Sequence, residues 1–189
     1  MSSAIRQSIS GARGKRGFSL IELLIVVAVI LIIASIAIPN MMRAKMAANQ
    51  SAAVGDLRTI ASAEANFSST YNDGYTLTLV QLGGPIGSNT CANANMIDNV
   101  LGGSDPSQKS GYTFTFTASG VAQLVAGIPA ACGASGDTGF EVSAVPITVN
   151  TTGTASYCID DGGAVRVDSA GGAGANGVYP CPAAMVPLY

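Results

Sequence analysis

The alternation of polar and apolar positions changes character three times along this chain. Residues 18–38 are apolar at every position except Ser19, Glu22 and Ser35. These 21 residues, at ~1.5 Å each, span about 30 Å as a helix, the thickness of a bilayer core. Pro39 follows. It lacks an N–H and crowds the preceding turn, which predicts a kink there. Beyond it the pattern becomes amphipathic. Met46, Ala53, Val54, Leu57, Ile60, Ala61 and Phe67 recur at helical spacing, with Arg43, Lys45, Asp56, Arg58 and Glu64 among them. Alanine is dense here and favours helix, while Gly55 weakens it. Asn72-Asp73-Gly74 has the chemistry of a stop. The spacing predicts one long helix from Phe18 to about Tyr71, ~80 Å at the same rise. Its first half is expected to lie in a membrane and its second half to lay one stripe on a core.

Residues 72–110 are rich in Gly, Asn and Ser, with a short helix expected around Ala92–Leu101. From Gly111 the period becomes two. Tyr112, Phe114 and Phe116 alternate with Thr113, Thr115 and Thr117, a strand pattern. Val121–Ala126 is expected to be its hairpin partner, and Phe140–Val149 and Ala155–Ile159 to be further strands. Asp160-Asp161-Gly162-Gly163 is a turn, and Ala164–Asp168 returns from it. Ser169–Gly177 is a Gly/Ala loop. A long helix followed by antiparallel strands predicts an α+β fold. Four regions follow: residues 1–17 as a leader, 18–38 as the apolar helix, 39–71 as its amphipathic continuation, and 72–189 as a globular head.

Charge adds direction. Arg6, Arg13, Lys15 and Arg16 precede the apolar run without an acid, whereas the chain after Gly17 carries five bases and all eleven acids. A cationic start before an apolar span places that start in the cytoplasm and the polar domain outside it. The acidic exterior argues against specific nucleic-acid binding, which needs clustered Lys and Arg. Cys91, Cys132, Cys158 and Cys181 all lie in the exported part, where an even count reads as two disulfides. Of the three pairings, Cys91–Cys132 and Cys158–Cys181 close moderate local loops and are favoured. With no histidine and no C-x-x-C, zinc is not expected. The absence of histidine also removes imidazole bases and the usual hydrolase triads, so no enzymatic activity and no cofactor are expected. Asp160, Asp161 and Asp168 read as a polar hairpin turn rather than as calcium ligands, because their spacing matches no known calcium loop.

The most informative stretch is Gly17-Phe18-Ser19-Leu20-Ile21-Glu22-Leu23. A carboxylate at membrane depth costs at least ~2.5 kcal/mol and calls for a partner or a purpose. Ser19 and Glu22 also fit a capping box, with Glu22 favoured near a helix N-terminus. An ordinary signal peptide would use Leu23–Ala34 as its core and Ser35-Ile36-Ala37 as its cleavage site, but its core would begin beside a glutamate. A plain uncleaved anchor is the third alternative. Basic residues, then Gly, Phe, a polar residue, two aliphatics, Glu and an unbroken apolar run together closely resemble the N-terminus of type IV prepilins and of type II secretion pseudopilins.

That resemblance implies an architecture and a set of roles. The fold would be type IV pilin-like, its long helix half transmembrane and packed on an antiparallel head. A prepilin peptidase/methyltransferase would cut after Gly17 and methylate the new N-terminus at Phe18. Glu22 would pair with the Phe18 amine of a neighbouring subunit during assembly. Pro39 would be the helix-bending proline; the glycine that many members carry between the Glu and Pro positions is absent here. The chain would first sit in the cytoplasmic membrane and then, through pilus or secretion assembly machinery, become a homo-oligomeric helical filament, an extracellular pilus. The alternatives are a major pseudopilin of a type II secretion system, a tip-capping minor pilin, and a monomeric binding domain on a signal anchor.

Overall fold

The computed structural model describes residues 17–85, 87, 89–122, 132, 136–169 and 181–188. The expected leader, apart from Gly17, and residues 170–177 of the expected Gly/Ala loop lie outside them. Two compact units are present, Met1–Asn40 and Met41–Tyr189. Helix α1 runs from Leu20 to Tyr71 with Pro39 inside it. The second unit adds a short helix α2 (Leu79–Leu82) and six strands: β1 (Ser107–Lys109), β2 (Tyr112–Ala118), β3 (Phe140–Pro146), β4 (Ser156–Asp160), β5 (Arg166–Asp168) and β6 (Val186–Pro187). The strands lie in sequence order in one sheet, and each pairs antiparallel with the next. The fold is therefore α+β: one long helix, then a meander.

Strand periodicity decides which side chains meet the helix. Phe114 lies opposite Ala144 and Phe116 opposite Val142, while Val142 lies opposite Ile159 and Ala144 opposite Tyr157. This face joins Ala53, Leu57, Ile60 and Phe67 of α1 in one buried cluster. Tyr112 is fully buried, and its hydroxyl donates to the Ala155 carbonyl at 2.9 Å. Gly153 makes this possible, because a Cβ there would overlap the Tyr112 hydroxyl. The stem is pinned outside the core as well. Asn49 Nδ2 donates to the Thr152 carbonyl at 2.9 Å, and Lys109 Nζ lies 2.8 Å from carboxylate oxygens of both Asp56 and Asp98.

Several expected elements differ. No helix forms around Ala92–Leu101. The N–H groups of Ala94, Asn95 and Met96 instead bond to the carbonyls of Gln81, Gly83 and Leu82, so they are not free for helical bonding. The short helix forms upstream, as α2. The hairpin partner of β2 is not Val121–Ala126 but β1. A two-residue turn, Ser110-Gly111, joins them with φ values of +50° and +77°, the primed geometry that matches strand twist. Residues 123–126 of the expected partner lie outside the described residues. Strand β3 stops at Pro146 rather than Val149, because the chain then folds back through Asn150, whose N–H donates to the Gly153 carbonyl.

Two disulfides close the head, Cys91–Cys132 and Cys158–Cys181. The first joins the main core; the second forms a separate small cluster with Met185.

The helix stripe makes a direct prediction. Leu57 is completely buried, so Leu57→Ala should destabilise the head by ~2–5 kcal/mol. Thr59→Ala, on the exposed side of the same turn, should change stability by less than ~0.5 kcal/mol. Chemical denaturation of the detergent-solubilised chain measures both.

Candidate processing and assembly site

Gly17, Phe18 and Ser19 precede α1 without regular structure, and all three are exposed. Nothing lies within 4 Å of where a Cβ on Gly17 would sit. Phe18 is 80% exposed. The helix begins on Ser19, whose carbonyl accepts from the N–H groups of Glu22 (3.1 Å) and Leu23 (3.2 Å). No side-chain hydrogen bond or ion pair joins Glu22 to a described residue, so the reciprocal capping box is not formed there. Its carboxylate is exposed in the first turn, where the helix dipole favours it. Every large apolar side chain from Leu20 to Ile38 is exposed as well. The segment is long and apolar enough to cross a membrane. Its one hydroxyl beyond the first turn is satisfied internally, since Ser35 Oγ donates to the Ile32 carbonyl at 2.7 Å. Pro39 removes the N–H that would have bonded to the Ser35 carbonyl, yet the helix continues.

Among the described residues, this geometry exposes a small residue, an aromatic and a carboxylate at the start of an exposed apolar helix. Residues 12–38 match the prokaryotic N-terminal methylation motif. This is a prepilin N-terminus of the type IV pilin and pseudopilin kind. The match covers about a seventh of the chain. No curated protein and no solved structure matches the chain. A long helix with an apolar N-terminal half followed by a six-stranded antiparallel sheet is a type IV pilin-like architecture. The motif implies a prepilin peptidase and an assembly machinery as partners. The apolar helix is consistent with membrane anchoring.

Acids further along the chain tie its elements together. Glu64 fell among the charged positions of the stem in the sequence pattern, but it is fully buried. Its spacing from Leu57, Ile60 and Phe67 puts it on the core stripe, which is the signal that was there to be read. Its carboxylate accepts from the Thr76 N–H at 2.9 Å and from the Thr76 hydroxyl, tying the stem to the chain that follows it. Burial pushes its pKa up to about 7, against the opposing pull of both Thr76 bonds. Asp105 likewise accepts from the N–H groups of Leu79 and Phe116.

Asp160, Asp161 and Asp168 are not brought together. Asp160 closes the β4–β5 turn, where its side chain accepts from the Gly162 N–H, while Asp168 lies opposite Ser156 at the other end of the ladder. Two carboxyls do lie near sulfur, Asp73 beside Cys91 and Cys132 and Glu141 beside Cys158 and Cys181. Both sulfur pairs are disulfides and so offer no thiolate to a metal.

The Glu64 carboxyl predicts a pH effect with a definite sign. Its folded pKa lies above its ordinary 4.5, so the stability it permits in the protonated form is complete below pH 4.5 and is lost by about pH 7. The melting temperature should fall across that window. In Glu64→Gln the fall should be smaller, as read by thermal denaturation at a series of pH values.

Proposed function

We propose that the chain is a type IV prepilin, a structural subunit that is cleaved after Gly17, N-methylated at Phe18 and polymerised into a surface pilus. The observation that carries this reading is the methylation motif on a helix whose large apolar side chains, Leu20 to Ile38, are exposed among the described residues. Before assembly, lipid covers that segment, with the N-terminus cytoplasmic and the head outside. In the filament, copies of the same segment cover it. Lipid is nearly as apolar as leucine, so burial alone gives little preference for the filament. Selectivity then comes from close packing and from Glu22, whose carboxylate meets the Phe18 amine of a neighbour in a low-dielectric bundle. Pro39 bends or loosens the helix where it leaves the bundle.

The role assigned is structural and not catalytic. All four cysteines are bonded, no histidine is present, and the buried Glu64 and the half-buried Asp105 hold main-chain donors. Extraction from the membrane requires an energy-driven assembly machine.

Two substitutions separate processing from assembly. Gly17→Val should leave the leader attached, giving a heavier precursor confined to membranes. Glu22→Val should still be processed to Phe18 but should yield no subunit in the sheared extracellular fraction. Filaments formed by Glu22→Val at wild-type level would contradict the assembly role. A wild-type chain processed at Phe18 but retained wholly in the membrane fraction would instead assign it to the secretion pseudopilins.

A further inference from the structure

The face of the sheet turned away from α1 carries Glu141, Ser143, Ser156, Cys158 and Asp160, all buried. Over it lies the second disulfide, with Cys181 and Met185 from the C-terminal segment. Glu141 is fully buried at this place. Its Oε1 lies 3.1 Å from Cys158 Sγ, and its Oε2 has no hydrogen-bond partner among the described residues. A disulfide sulfur carries no hydrogen. The contact is therefore a hydrogen bond only when the carboxyl holds the proton and donates it to sulfur, a weak acceptor.

The surroundings favour that protonated form. Burial pushes the Glu141 pKa up to about 8; the Thr117 hydroxyl on β2 opposes this and the Asp160 carboxylate adds to it. Asp160 lies directly opposite Glu141 in the β3–β4 register. Arg166 on β5 lies beyond β4, opposite Cys158, and makes no ion pair with Glu141. Residues 169–189 contain no Asp, Glu, Lys or Arg. On ionising, Glu141 would face an acid with no cation paired to it.

We propose that Glu141 is a proton-operated latch: protonated, it holds the Cys158–Cys181 bridge and the segment Cys181–Leu188 against the sheet, and proton loss opens that bridge to solvent reductants. In the open form the carboxylate is hydrated and regains its ordinary acidity. Opening therefore grows with pH while the closed form still holds its proton, then levels off.

The test is the rate at which each disulfide of the full-length protein in detergent is reduced by a water-soluble phosphine, followed by peptide mapping. The Cys91–Cys132 bridge in the same molecules serves as reference and cancels the reductant's own pH dependence. The ratio of Cys158–Cys181 to Cys91–Cys132 reduction should rise by up to about tenfold per pH unit from about pH 5 and level off near pH 8. In Glu141→Gln the ratio should not change with pH. In Asp160→Asn, which keeps the oxygen that accepts from Gly162, the plateau should begin at lower pH. This second variant, together with the wild-type profile, decides the matter even if Glu141→Gln fails to fold. A wild-type ratio flat across the range, a rise of equal size in Glu141→Gln, or a plateau unmoved in Asp160→Asn would each overturn the latch.

Discussion

One constraint organises this molecule: a helix that is apolar on all sides cannot stay in water. From Leu20 to Ile38 the large apolar side chains of α1 are exposed among the described residues. A surface helix of a globular domain needs only one apolar stripe. A helix apolar all round needs lipid, or copies of itself. The residues in this segment follow from that requirement. Ser35 turns its hydroxyl back to a main-chain carbonyl, so it asks nothing of its surroundings. Glu22 is the exception. Placed in the first turn, it has the helix dipole as its only favourable field among the described residues. Such a charge in an apolar segment calls for a partner or a purpose.

The part of α1 within the second unit obeys the other rule. Ala53, Leu57, Ile60 and Phe67 give it one stripe, and a meander of short strands supplies the complementary face. The sheet is thin at both edges, with β1 of three residues and β6 of two. Extra ties compensate. Lys109 joins the stem to the loop through Asp56 and Asp98, Glu64 holds the chain that leaves the helix, and two disulfides close loops of 41 and 23 residues. A cross-link restricts the unfolded chain, which matters most in a head with much loop and little regular structure.

Much of this was legible because the strongest signals are periodic. The switch from all-apolar to stripe located α1 to within two residues, and the Tyr-Thr-Phe-Thr-Phe-Thr alternation located β2. The methylation signal was legible as a local string of residue types. The elements that escaped had their backbone bonds decided at a distance. Residues 94–96 spend their N–H groups on residues 81–83, which no local propensity reports. Strands β1 and β6 are too short to show a period, and β6 contains proline. The Ser110-Gly111 turn was the local clue to β1. Glu64 and Glu141 share a different cause. Charged residues read as surface by default, and only the stripe positions around them, or the pairing of β3 with β4, reveal that they are inside.

The central claim is that Phe18 becomes the first residue of a subunit whose apolar helix is covered by other copies. Intact-mass and peptide mass spectrometry of protein from sheared surface filaments tests it most directly. The account predicts a chain that begins at N-methyl-Phe18 and is lighter by two protons for each of its two disulfides. A chain that begins after Ala37, or one that retains its leader, would contradict it.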